Sequence, residues 1–70
     1  MLNLDLIFAH FERTIAERFL SRDLEGLRRS QWALVELVDA AEAAGDRESA
    51  LRLRVLASKV ANHREALADD

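Results

Sequence analysis

Gly45-Asp46-Arg47-Glu48-Ser49-Ala50 is the stretch that decides the fold. Glycine takes the left-handed backbone without a Cβ penalty, so Gly45 is suited to follow the end of a helix as its C′ residue. Asp46 can accept a hydrogen bond from the first free amides of a following helix, so it is suited to start one. A stop and a start in adjacent residues leave almost no loop. The flanking helices must then fold back on each other as an antiparallel hairpin.

Working outward, the chain holds one other glycine, Gly26, and no proline. It is dominated by Ala, Leu, Arg and Glu, which hold a helix at little entropic cost. The pattern predicts an all-α chain forming one domain over residues 1–70, with helices at about 4–20, 23–44 and 47–67. Asn3 is placed to cap the first helix, with Asp5 in its dipole-favoured first turn. Ser21-Arg22-Asp23 separates the first two helices, and Ser21 or Asp23 can cap the second. Gly26 then falls in a first turn, where its cost is modest.

Each helix carries an apolar face. Leu4, Ile7, Phe8, Phe11, Ile15 and Phe19 recur at three- and four-residue steps and form a narrow stripe on the first. The second has a wide arc, including Leu24, Leu27, Leu34, Val35, Leu37, Val38, Ala41 and Ala44, as suits a helix packed between two others. Gln31 lies within that arc and needs a hydrogen-bond partner if buried. Leu53, Leu56, Ala57, Val60, Ala61 and Leu67 face inward on the third. Glu36, Asp39 and Glu42 on one arm of the hairpin meet Arg52, Arg54, Lys59 and Arg64 on the other, which favours the antiparallel register. The bundle is completed by the first helix or by oligomerisation.

At its turn the hairpin resembles a tetratricopeptide repeat, whose loop commonly reads Gly-Asp-x-x-x-Ala. Gly45, Asp46 and Ala50 match that loop. Leu34, Leu37, Ala40 and Ala41 stand where the repeat's first helix carries packing residues, and Ala57 where its second needs a small one. Val38, Arg54 and Asn62 depart from the pattern, at a small, an aromatic and a proline position. The resemblance covers residues 34–62 and one repeat, whereas solenoids stack about three. It implies a protein-binding scaffold.

Little in the chain points to chemistry. Metal ligands on a helix need spacings of three or four, but His10 and Glu12, like His63 and Glu65, are two apart and diverge. A site spanning His10 and His63 across helices is the one arrangement left. Ser21, Ser30, Ser49 and Ser58 have no histidine at helical contact spacing, and there is no cysteine nucleophile. The ladder of Glu36, Asp39 and Glu42 reads as a solvated face opposite the arginines. No glycine-rich phosphate loop is present. The reading is a non-enzyme without a cofactor or metal.

Arg22, Arg28 and Arg29, or a ridge of Arg52, Lys59 and His63, are the candidate phosphate contacts. A net charge of −3 and a pI near 5.3 argue against nucleic acid as the main partner. Asp5, Glu12 and Arg13 break the apolar run that a signal peptide or membrane span requires, so the expectation is a cytoplasmic protein. With no cysteine to staple it, a 70-residue core is marginal, and association is the remaining route to stability.

Apolar residues left over on the outer faces are then the candidate contacts. Leu6 and Leu20 lie on the back of the first helix, and Leu51 and Val55 on the back of the third. Trp32 stands at the margin of the second helix's arc beside Arg28. It either seals the edge between the first two helices or anchors an interface, a role tryptophan and arginine often fill. The functional expectation is a non-catalytic interaction module, such as an adaptor, chaperone or assembly subunit. It would act by self-association, with a dimer the foremost state, or by capturing a partner's helix. The alternative is a small regulator, either nucleic-acid-associated or an inhibitor covering another protein's surface.

Overall fold

The computed structural model describes residues 3–69, in which three α-helices follow one another. They are α1 (Leu4–Leu20), α2 (Leu24–Ala43) and α3 (Arg47–Ala68). Their ends fall within one residue of the boundaries read from the sequence.

The two corners are built alike. At the second, Gly45 is left-handed with φ 76°. Its N–H donates to the carbonyl of Glu42 at 3.0 Å, and the Asp46 N–H donates to that of Ala41 at 2.9 Å. This is the Schellman arrangement that satisfies the last carbonyls of a helix. Asp46 then caps α3 by accepting from the Ser49 N–H at 3.1 Å. Hydrogen bonds from the Ser49 side chain and then its backbone hold the Asp46 carboxyl below its ordinary value of 3.8. At the first corner Arg22 takes the left-handed place with φ 58°. The Asp23 N–H donates to the Arg18 carbonyl at 2.9 Å, and Asp23 caps α2 through the Gly26 N–H at 2.8 Å. Of the two possible caps for α2, Asp23 is the one used. A non-glycine residue in this conformation costs about 1–2 kcal/mol, which is why the composition did not mark this corner as the twin of the other.

Helices α2 and α3 form the antiparallel hairpin and make the largest contact in the molecule. Phe8 and Ile15 of α1, Leu27, Leu34 and Val38 of α2, and Leu53, Leu56, Val60 and Leu67 of α3 make one core. Gln31 finds its partner across the hairpin, accepting from the Arg64 guanidinium. Arg54 pairs with Glu42 at 2.8 Å, joining the two charge blocks.

Helix α1 closes one face of the hairpin and is fastened at both ends. Arg18 donates to the Gly26 carbonyl at 2.9 Å and to the Ser30 hydroxyl. Gly26 and Ser30, one turn apart and both buried, let α1 lie close to α2. The Phe19 ring stacks on His63 at 4.1 Å. Near the other end, the Arg52 guanidinium sits 3.8 Å above the Phe8 ring and 3.6 Å from the Asp5 carboxylate.

Four residues expected inside are exposed, Leu4, Leu24, Val35 and, beside the turn, Ala44. Leu4, Leu24 and Val35 are each just over 40% exposed. Leu4 lies in the first turn of α1 and borders a hollow with Ile7, Leu37, Ala40 and Ala44. Leu24 and Val35 lie on the edge of the α2 arc that only a further helix would cover. The arc is wide enough for two neighbours, and the chain supplies α3 and α1 without filling its outer margin.

Candidate interaction surface

The face of the hairpin that α1 leaves open is a long groove. Leu24, Arg28, Gln31 and Val35 form its α2 wall, and Ala57, Ala61, Arg64 and Ala68 its α3 side. No residue of α1 lines it. Alanines at one side keep it shallow and accessible to another backbone. Polar groups mark its course: the bridge from Arg64 to Gln31 in the middle, and the pair of Arg54 with Glu42 towards the turn.

Trp32 stands on the rim of this groove and is 65% exposed. Its companions around the hollow are Arg28, Gln31 and Val35 on its own helix and Arg64 on α3. It therefore faces the open side of the hairpin, away from the edge between α1 and α2. Arg28 is held by Glu25, one turn earlier, at 3.1 Å.

The other sequence-derived candidates do not join Trp32 and Arg28. Val55 borders a separate hollow between α1 and α3, with Phe8, Glu12, Arg52, Leu56 and Lys59. Leu51, one turn before Val55, is equally exposed. Leu6 and Leu20 sit at opposite ends of α1, about 21 Å apart by helical rise. The six residues thus fall on at least three patches. Leu24 and Val35, assigned to the core from periodicity, instead belong to the groove.

The surface offers apolar contact, ion pairs and the Gln31 amide. His63 is engaged against Phe19, and His10 meets the edge of its neighbour Phe11 at 5.6 Å. Among the described residues, no three of the His, Asp and Glu side chains gather as a metal site would require. No helix among them is long and apolar enough to cross a membrane.

The chain matches no family model, no curated protein and no solved structure.

Proposed function

We propose that this chain is a non-catalytic protein–protein interaction module, of the adaptor, chaperone or assembly-subunit kind. Its working face is the groove between α2 and α3, and its ligand is a helix. One observation carries the reading: Trp32, 65% exposed, stands with exposed Leu24 and Val35 along a groove whose other side holds Ala57, Ala61 and Ala68 among polar residues such as Arg64. Exposed apolar residues scattered singly are ordinary, but a line of them along a concavity marks a contact surface. The opposite face of the same hairpin already holds a helix, α1, so a second helix is the ligand whose shape fits. The repeat-like turn supports the reading too, since the scaffolds it resembles bind proteins.

A photoreactive residue at position 35 tests it, with one at position 17 on exposed α1 as the control. Position 35 should form protein adducts, to this chain or another, and position 17 should not. Equal yields, or none at position 35, contradict the assignment of the groove.

A further inference from the structure

We propose that the groove's occupant is a second copy of this chain, docked antiparallel through α2. Trp32 of each copy packs on Val35 of the other, and Arg28 of each pairs with Asp39 of the other. The inference rests on the groove being a helix-docking face, and commits it to one partner in one orientation.

Arg28, Trp32, Val35 and Asp39 are spaced four, three and four residues apart. That spacing keeps them on one seam of a helix packed against another. All four are exposed. The seam is symmetric about the midpoint of residues 33 and 34, so a two-fold axis there brings 32 onto 35 and 28 onto 39. Its ends carry opposite charges. An antiparallel copy therefore meets base with acid at both ends, while a parallel copy would set Arg28 on Arg28 and Asp39 on Asp39. Like charges directly opposed disfavour the parallel form. The self-complementary patch is what a closed two-fold dimer requires.

The surroundings agree with this placement. Asp39 has no ion pair or hydrogen-bond partner for its side chain among the described residues. One step further out, Glu25 comes opposite Glu42 of the second copy. Glu42 is neutralised within its own chain by Arg54 at 2.8 Å, and Glu25, 3.1 Å from Arg28, shares that guanidinium with the incoming Asp39. Ala57 and Ala61 beside the seam leave room for the second α2 to settle toward α3.

Two single charge reversals, Arg28→Asp and Asp39→Arg, test the arrangement by sedimentation velocity and native mass measurement. Both positions are exposed, and circular dichroism on each variant checks that helicity is kept. Each variant alone places like charges at both ends of the seam and should self-associate at least about tenfold more weakly than the parent. Mixed together, they restore opposite charges at both ends and should form a one-to-one heterodimer near parental affinity. The double variant should recover homodimerisation.

A parent chain that stays monomeric at high micromolar concentration overturns the proposal, and so do mixed variants that fail to pair. If the parent dimerises through position 35 but ignores both reversals, the docking face stands and this antiparallel seam does not. If position 35 forms no adduct of any kind, the reading of the groove itself has failed.

Discussion

Gly45 and Gly26 are both glycines at corners, yet they are held for different reasons. At Gly45 a Cβ would touch nothing within 4 Å, but φ is +76°. Gly45→Ala should therefore cost about 1 kcal/mol through backbone strain alone, seen as a lower urea midpoint at unchanged m-value. At Gly26 the backbone is ordinary helix, and space is the constraint. An added Cβ would lie 2.2 Å from Oδ2 of Asp23 and 2.9 Å from Cδ of Arg18. Alanine's helix propensity returns about 1 kcal/mol. Against that stand the α2 cap, ~1 kcal/mol, and the Arg18 hydrogen bonds, ~1.5–3 kcal/mol. Gly26→Ala should be net destabilising by about 1–3 kcal/mol, and a rise in melting temperature would refute the crowding. Asp46 adds a pH dependence. Its folded pKa lies below the unfolded one, so its stabilising effect is complete above the usual carboxylate range and is lost as pH falls through the folded value. Asp46→Asn should flatten the acid limb of a stability–pH curve by lowering stability at neutral pH, and change it least in acid, where Asp46 is already protonated.

Among the helices, the hairpin was the legible part and α1 the obscure one. Gly45-Asp46 announces its own geometry because a glycine C′ and an aspartate N-cap have few other uses in adjacent positions. The seating of α1 depends on Arg18, which reads in the sequence as one more charged surface residue. Only the small pair Gly26 and Ser30, a turn apart on α2, hints that something lies close there. Periodicity alone leaves open whether α1 or a second chain completes the bundle, whereas α1 is pinned by Arg18 at one end and by Arg52 over Phe8 at the other. The same limit applied to the surface. Periodicity marked Leu24 and Val35 as apolar-arc residues, but which part of a wide arc stays uncovered depends on where the third helix lands. Arg18→Ala should loosen α1 selectively, since its guanidinium contacts only α2 groups and the α2–α3 core is not touched by the change. Hydrogen exchange should quicken in α1 amides more than in those of α2 and α3. Uniform quickening would show that the three helices open as one unit.

Taken whole, the molecule is a thin slab, 39 × 21 × 15 Å along its principal axes. One side of the hairpin is sealed by α1 and the other carries the open groove. A slab this thin has one shared core and little depth, which ties its stability to whatever covers the second side. If a second copy covers it, folding and association are linked, and the melting temperature must rise with protein concentration. A hundredfold rise in concentration favours a dimer by ~2.7 kcal/mol, or ~1.4 kcal/mol per chain, and each kcal/mol moves the melting point of a domain this size by about 4–8 °C. A rise of several degrees across a hundredfold concentration series is the expected result. Trp32→Ala should abolish that dependence while leaving the dilute-limit melting point nearly in place, because Trp32 is exposed in the single chain and contributes little to its core. It is also the chain's one indole, with no tyrosine beside it. Its fluorescence should therefore shift to the blue and resist acrylamide quenching over the same concentrations in which the melting point climbs. A parent melting point independent of concentration, with Trp32 quenchable throughout, would show that the slab is stable alone and that its open side stays uncovered by a second copy.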